Sequence, residues 1–234
     1  RRQRQMCIRD RFTTLAAQSG APFSINDIVP IANHLTEAGV VAVKADSPYK
    51  TIEELVAAAK EKGNLKASTN GNKASNHTAA QLLAKSAGFK YKAIPYGGTA
   101  DQLLALRQGE VDFTCAKVAD VAKLVKGDKP ELRVLAVFNT KRDPELPNVP
   151  TLGEKGLYPE WYGSARALVA PKGTKPEVIQ YYVEAFKKTM QDPAVIEAHK
   201  KAGMALDFKD NKELGDLIKA QDKFARDVVN DLYK

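Results

Sequence analysis

The sequence predicts an α/β fold in which short strands alternate with amphipathic helices. Three observations support this prediction: short apolar, β-branched runs, helical apolar faces bounded by capping residues and glycines, and Gly- or Pro-bearing turns between them. The 234 residues suffice for one large domain or two small ones. No stretch approaches the ~18 apolar residues that a membrane-spanning helix needs, so we expect a chain that is not itself inserted in a membrane.

Five strands are expected in the central part of the chain. They lie at 40–43, 65–68, 91–94, 111–115 and 132–138. Helical patterns separate most of them, the last at 118–125. Strands separated by helices of this length predict βαβ units and therefore a parallel sheet.

The central helices have recognisable starts and stops. The predicted starts are Thr51 with Glu54 in a capping box, Ser75 as a cap, and Thr99 with Gln102 in a second capping box. The predicted stops are Gly63, Gly88 and Gly109. These signals are local, since each depends on residues within one turn of the helix end.

The character of the chain changes after residue 138. Residues 139–164 are rich in Pro, Gly and polar side chains and predict a long irregular stretch. A strand at 167–170, helices at 176–190, 193–202 and 211–232, and a short strand at 204–208 follow. We therefore expect a compact α/β unit near 46–165, flanked by segments that belong together elsewhere.

The net charge of +8 is concentrated at the start of the chain. Residues 1–11 hold five of the ten arginines, and without this segment the net charge is +4. The remaining lysines are interspersed with acidic residues, which argues against nucleic acid as a partner. The string MCIRDR resembles a translated sequencing-adaptor read-through, so we exclude residues 1–11 from the fold. A disordered basic arm is the alternative.

Two junctions between a strand and the following helix have the composition of an anion site. Ser75, Asn76 and His77 lie on the first turn of one helix, and Gly97 with Gly98 precedes another. Small residues let backbone N–H groups approach a ligand, and a helix N-terminus carries partial positive charge. Two such junctions at one sheet edge would bind a carboxylate without a buried lysine or a metal. Taken singly, each junction is better explained as an ordinary turn. The pairing of the two in one sheet is what favours a ligand site.

Sequence signatures of enzymes are missing from the chain. It contains no GxSxG, HExxH, CxxC, Walker or GxGxxG pattern, and three histidines and two cysteines do not compose a metal site. We expect no cofactor. Cys115, at a predicted strand end, is either a core residue or a nucleophile. His77 is either a surface residue or a functional one, which then donates to a carboxylate or holds the loop.

Six motifs in order resemble the substrate-binding receptors of tripartite tricarboxylate transporters, the TctC or Bug family. The motifs lie at 26–32, 68–77, 94–98, 109–112, 146–152 and 170–174. The phrase from Leu146 to Gly156, followed by Ala-Pro-Lys-Gly-Thr, is the most specific of them. The likeness runs from about residue 12 to the C-terminus.

The resemblance implies a periplasmic binding protein-like (type II) fold with two α/β domains and two crossover strands. Domain two would comprise 45–166, and domain one, incomplete in this chain, 12–44 with 167–234; the crossovers would fall near 43–44 and 167–170. Such a receptor is expected to be a monomer that closes on a small carboxylate and delivers it to the permease subunits of a membrane transporter. The ligand-binding residues implied are Ser19, Thr69, Asn72, Ser75, Asn76, His77, Tyr96, Gly97, Gly98, Thr99 and Lys117.

The chain departs from the family pattern at several places. We expect a signal peptide and a first strand with a Pro-Gly-Gly loop in the intact gene, and this chain begins near the family's third strand. Lys73 stands where glycine is usual, a Tyr-Gly dipeptide precedes Gly98 where Tyr-Lys-Gly is usual, and Ala116-Lys117 replaces a commoner Asp-Ser. Lys117 either pairs with a distal carboxylate or is solvated. Two other functions stay open: the effector-binding domain of a transcription regulator, and an enzyme that uses Cys115 or His77.

Overall fold

The computed structural model describes the backbone of residues 6–8, 22–202, 204 and 206–233. The chain divides into two compact units. One comprises Ala38–Gly163, and the other the described parts of Arg1–Glu37 and Ser164–Lys234. The chain passes between the units within two strands, β2 (Ile28–Lys44) and β7 (Gly163–Pro171), which contain both segments expected as crossovers. The domain bounds implied by the resemblance stay a prediction.

The unit Ala38–Gly163 is built on a sheet of five strands. Besides the end of β2, they are β3 (Lys66–Thr69), β4 (Lys92–Pro95), β5 (Phe113–Lys117) and β6 (Leu132–Phe138). Their order is β4-β3-β5-β2-β6. All five predicted strands are present, with bounds shifted by one or two residues at most positions and by none at β6.

The prediction of a wholly parallel sheet is wrong for this unit. Strand β3 is parallel to β4 and to β5, whereas β2 is antiparallel to β5 and to β6. The β-branched run at 40–43 gives strand propensity but no direction. Its direction follows from β2 as a whole, a 17-residue strand that enters this unit from the other one.

Four helices belong to the same unit. They are α1 (Ile52–Lys62), α2 (Ser75–Ala87), α3 (Thr99–Gln108) and α4 (Val118–Val121). Helix α1 has the predicted capping box between Thr51 and Glu54, and α1, α2 and α3 end at glycines with left-handed φ. Helix α4 is one turn long rather than the predicted eight residues, because the chain leaves the helix in turns that lead to β6.

The other unit contains the rest of β2, β7, β8 (Leu206–Lys209) and a short β1 (Met6–Ile8). Strand β1 pairs with β7, and β8 pairs with β2, both antiparallel. The helices are α5 (Pro176–Met190), α6 (Pro193–Lys201) and α7 (Asn211–Phe224), then a π-helical turn (Ala225–Val229) and α8 (Asn230–Leu232). The helix predicted at 211–232 is therefore interrupted by the π-helical turn.

Residues 6–8 lie in the segment that we excluded from the fold, and they do contribute a strand. Their Cα partners on β7 run from Val169 to Ala167. The unpaired N–H and C=O groups of an edge strand accept any extended segment. The sequence of residues 6–8 therefore needs no alternating apolar pattern to pair there.

Candidate functional site

Helix α2 starts with three buried polar residues. Ser75, Asn76 and His77 are 6%, 1% and 7% exposed. The N-cap is Ala74, which has no capping side chain, and Ser75 is the first helical residue. The prediction that Ser75 caps the helix is therefore wrong, because its Oγ accepts a hydrogen bond from the Lys117 ammonium at 3.1 Å instead.

Lys117 ends β5 and points to the start of α2. Its side chain is almost fully buried, so the alternative of a solvated lysine is wrong. The Nζ atom donates to Asn76 Oδ1 at 2.7 Å and to Ser75 Oγ at 3.1 Å. Lys117 therefore supplies a buried charge beside one of the two helix starts.

A chain of hydrogen bonds fixes the orientation of the Asn76 amide. Gln102 Nε2 donates to the backbone oxygen of Cys115 at 2.6 Å and to Thr114 Oγ1, and Asn76 Nδ2 donates to Gln102 Oε1 at 3.0 Å. A backbone carbonyl can only accept and an ammonium can only donate, so both ends of the chain have one possible role. Asn76 must therefore turn its Nδ2 to Gln102 and its Oδ1 to Lys117.

Alternation along β5 separates α2 from α3. Side chains at successive positions of a strand point to opposite faces of the sheet. The side chain of Thr114 bonds to Gln102 of α3, and that of Lys117 bonds to the first two residues of α2. The two helices therefore lie on opposite faces, and Asn76 meets Gln102 across the carboxyl edge of the strands.

This edge is a topological switch point. The chain leaves β3 toward β4 and later returns from β4 past β3 to β5, so the connections around β3 and β5 run in opposite directions. Ligands of open α/β sheets bind outside the carboxyl ends of strands at such points. Ser68 and Thr114, paired in register there, add two buried hydroxyls at 3.0 Å from each other.

The start of α3 is organised differently from its prediction. Gly98 is the N-cap, with extended φ and ψ, and no side chain caps the helix. The capping box of Thr99 with Gln102 is wrong, because Gln102 is fully buried and bonds to Asn76 and β5. Asp101 places an acid in the first turn, and its Oδ2 lies 3.3 Å from where a Cβ on Gly97 would stand.

The other predicted ligand-binding residues are scattered by comparison. Thr69 is buried at the end of β3, with its Oγ1 3.5 Å from the Gly71 oxygen, and Asn72 is exposed in the loop that follows. The Tyr96 hydroxyl donates to Glu110 at 3.0 Å, beyond the far end of α3, so it does not join the cluster at the start of α2. Ser19 lies outside the described residues.

His77 accepts a hydrogen bond from the backbone of the preceding loop. The Lys73 N–H donates to its Nδ1 at 2.9 Å, which makes the neutral ring with hydrogen on Nε2 the fitting form. Burial, and secondarily the charge of Lys73, lower the pKa of His77. Lys73 itself has a φ of +54°, and it is the one residue other than glycine with positive φ in the described chain. His77 therefore holds the loop.

The nucleophile alternative for Cys115 fits poorly with its surroundings. Its thiol is fully buried, and burial raises the pKa of Cys115 to about 12. The thiolate is the reactive form, and at neutral pH its population is then very small. Among the described residues, no three His, Cys, Asp or Glu side chains are grouped closely enough to hold a metal ion.

Three polar residues of this region were missed by sequence reasoning: Ser68, Gln102 in its actual role, and Thr114. The Tyr162 hydroxyl also reaches this region and donates to the Ser75 backbone oxygen at 3.3 Å. One signal was available for Gln102. It stands four residues before the apolar Leu106, on the face of α3 that is buried.

No helix in the described parts of the chain is both long and apolar enough to cross a membrane. Among curated proteins, the chain is 37% identical to a UPF0065 protein of Cupriavidus necator encoded in the gbd 5′ region, over 72% of this chain and 50% of that protein. The chain spans 50–59% of the length of this protein and of two further curated relatives.

Solved structures share the fold along most of the chain. A TctC solute-binding protein from Polaromonas without ligand is 26% identical and superposes with a TM-score of 0.81, covering 96% of this chain and 77% of that one. An R. palustris protein solved with adipate is 18% identical, with a TM-score of 0.86 over 97% of this chain and 77% of that one. The latter likeness concerns the fold alone.

The family model described as the tripartite tricarboxylate transporter family receptor, TctC, matches residues 10–232. This match covers both units and all of the elements described from β2 onward. It agrees with the periplasmic binding protein-like α/β architecture and with the motif order read from the sequence. The chain belongs to the TctC receptor family.

Proposed function

We propose that the protein is a periplasmic receptor that captures a small carboxylate and delivers it to the permease subunits of a tripartite tricarboxylate-type transporter. The observation that supports this most strongly is the polar cluster at the carboxyl edge of β3 and β5. There Lys117, Ser75 and Asn76 are buried at the start of a 13-residue helix. A cation, a hydroxyl and a helix N-terminus all favour a negatively charged ligand.

The Ser75 hydroxyl is suited to contact the ligand. A hydroxyl group has one hydrogen to donate and oxygen lone pairs that accept. Because Ser75 Oγ accepts from the Lys117 ammonium, its own hydrogen is oriented away from that lysine. Donation to a charged group also strengthens the bond, so a carboxylate oxygen is the acceptor that this hydroxyl favours.

Membership of the receptor family favours this function over the two alternatives. Proteins of similar fold were solved with adipate and with malate, which makes dicarboxylates of four to six carbons the first ligands to test. We propose that the remaining predicted residues at the loops after β3 and β4 contact the rest of the ligand. The protein is proposed to act as a monomer, without a cofactor and without converting its ligand.

The test is binding of a panel of acids to the protein expressed from its intact gene. Adipate, malate and citrate are titrated by calorimetry, and thermal unfolding is recorded with each. A ligand at ~100 times its dissociation constant is expected to add about 2.7 kcal/mol to the free energy of unfolding, which raises Tm by several degrees. Proton NMR of the acid after incubation is expected to show it unchanged, and a product would favour the enzyme.

A pair of serine variants on α2 tests the position of the site. Ser75→Ala removes the hydroxyl at the start of the helix, and we expect about 10-fold weaker binding of the best acid. The control is Ser86→Ala near the other end of α2, where Oγ donates to the Leu157 oxygen on the surface. Equal affinity in both variants would remove the start of α2 from the proposal. Absence of binding for every acid would refute the receptor function itself.

A further inference from the structure

Helix α6 is attached to its unit by few side chains. Of its nine residues, Pro193–Lys201, only Val195 and His199 are partly buried, and the others are exposed. These two residues are four positions apart and therefore lie on one face of the helix. A helix held by so few buried contacts opens more readily than the core of its unit.

His199 packs against a second histidine, His34 of β2. The centres of the two rings are 5.6 Å apart, and their planes meet edge to face at 79°. The His34 ring also contacts Phe186 of α5, with 6.2 Å between the ring centres. His199 Nδ1 lies 2.8 Å from the Val195 oxygen, so it carries a hydrogen and donates within the helix. The His34 imidazole therefore lies where α5, α6 and β2 meet.

The surroundings of His34 disfavour its protonated form. Burial first, and then the charges of His199 and of Arg166 on β7, lower the pKa of His34 from its ordinary value of 6.5. Protonation of both histidines would place two cations against each other, with Arg166 as a further positive charge. The contact between the two rings is therefore favourable when they are neutral and becomes repulsive in acid.

The carboxylates of this region already have cationic partners. The ion pairs are Glu37 with Arg166, Asp207 with Lys209, and Glu197 with Lys201, at N–O distances of 2.8, 2.7 and 3.7 Å. Glu37 offsets part of the charge of Arg166, and the charge of His199 has the larger effect on His34. From α5, the neighbour of the His34 ring is the apolar Phe186.

We propose that the contact between His34 and His199 is an acid-sensitive switch that releases α6 from β2. At neutral pH the two uncharged rings pack together and hold the helix. In acid, a charged ring gains hydration and loses repulsion when the two rings separate, so protons favour the released state. Because His34 also lies within the register shift of β2 against β8, between Asn33 and Leu35, its release leaves that stretch of β2 less restrained. The inference goes beyond the proposed function and does not depend on it.

The test is amide hydrogen exchange, read by mass spectrometry on the protein expressed from its intact gene. Exchange is compared at pH 7.5 and 5.0, with labelling times scaled to the intrinsic exchange rate at each pH. Peptides of α6 are expected to lose about 3- to 10-fold of their protection at pH 5.0. Peptides of α5 should change less, because that helix keeps its buried Ile179 and Val183.

Two results of this comparison would overturn the proposal. Protection of α6 that is the same at both pH values would show that the contact does not respond to protons. An equal loss of protection in α5 and α6 would show that the whole unit is destabilised in acid, without a separate release of α6.

Variants of His34 identify the group that titrates. His34→Phe keeps an aromatic ring against Phe186 and His199 but cannot be protonated, so the pH response of α6 is expected to disappear. His34→Gln is also uncharged at both pH values, and it is measured alongside in case the Phe variant does not fold. The control is His77→Asn, a histidine of the other unit, which should leave the pH response of α6 as in the parent protein.

The variants also separate a switch from a purely structural contact. If His34 served packing alone, its substitution would lower the protection of α6 by the same factor at pH 7.5 and 5.0, and the pH response would persist. That result would overturn the proposal, because another group would then be the one that titrates. Neither outcome affects acid binding, so the proposed receptor function is decided by its own test.

Discussion

Replacing Lys73 by glycine is expected to stabilise the protein. Lys73 is exposed in the loop before α2 and holds a left-handed φ of +54°. The left-handed backbone conformation raises the free energy of an L-residue by roughly 1–2 kcal/mol, and a glycine at this position removes that strain. Glycine also gives the unfolded chain more freedom, which costs about 0.4–1 kcal/mol. The net expectation for Lys73→Gly is a gain of ~0.5 kcal/mol, or about 1–2 °C in Tm.

The hydrogen bond from this loop to His77 survives the substitution. It comes from the backbone N–H of residue 73, which glycine retains. Lys73→Ala separates the side chain from the backbone effect, since alanine removes the amine but keeps the strain. We expect Lys73→Ala to stay within ~0.5 kcal/mol of the parent protein.

Lys90→Gly is the matched control. Lys90 is also exposed and outside helices and strands, but its φ is not positive. Glycine there only loosens the unfolded chain, so a loss of about 0.4–1 kcal/mol is expected. The two Lys→Gly changes should therefore have opposite signs, and their difference measures the strain at Lys73.

The assay is urea unfolding followed by tryptophan fluorescence. Trp161 is the only tryptophan and belongs to the same unit as both lysines, so the signal reports the relevant unit. It packs against the hydrophobic core of that unit, which makes its emission sensitive to unfolding. If Lys73→Gly and Lys90→Gly destabilise the protein equally, the backbone of residue 73 is not strained and the reasoning is refuted.

Three further predictions concern the same unit. Gly39→Ala is expected to lower the free energy of unfolding by about 1–3 kcal/mol, because the new Cβ would stand 3.1 Å from the Tyr162 oxygen and from Phe138. The control is Gly98→Ala, whose Cβ would meet nothing within 4 Å. Equal urea midpoints for the two variants would contradict the prediction. Gln102→Leu is expected to lower the free energy of unfolding by about 2–4 kcal/mol, because it leaves the buried partners of Gln102 without hydrogen bonds. Gln108 is exposed on the same helix, so Gln108→Leu should leave the thermal unfolding nearly unchanged. Burial and the charge of Lys73 lower the pKa of His77 in the folded protein, so the unfolded chain binds more protons and the free energy of unfolding falls as the pH drops from 7 through the pKa of His77. In His77→Asn, urea titrations at pH 7 and 5.5 should show a smaller fall. An unchanged fall would exclude His77 as its source.

Local signals in the sequence predicted local structure well. Both bonds of the capping box between Thr51 and Glu54 are present, and the buried residues of α1 are its apolar ones at helical spacing, Ile52, Leu55, Val56 and Ala59. Gly63, Gly88 and Gly109 end their helices with left-handed φ. These features depend on contacts within one helical turn, so the residues that form them are neighbours in the sequence and can be recognised there.

Features set by distant residues were not predicted. Gln102 and Ser75 have the residue types of a capping box and a helix cap. Both instead bond to partners outside their own helix, which for Ser75 is Lys117, 42 positions along the chain. The buried Cys115 carbonyl bonds to Gln102, and the buried Lys117 ammonium bonds to Ser75, in place of the helix ends. Leaving a buried polar group without a partner costs more free energy than losing an exposed helix cap. The family pattern marked position 73 as one for glycine, and its positive φ gives the physical reason.

The register of β5 links these observations to the proposed recognition of charge. Val41 of β2 pairs with Cys115 and Gly39 with Lys117, while Ser68 of β3 pairs with Thr114. A slip of one residue would exchange the faces of β5, carrying the Lys117 ammonium to the side of α3 and the Thr114 hydroxyl to the side of α2. The buried neighbours on both sides of β5 prevent this slip. The place of the cation beside α2 therefore follows from ordinary strand pairing, and a change that loosens β2 against β5 should weaken acid binding even though it touches no ligand.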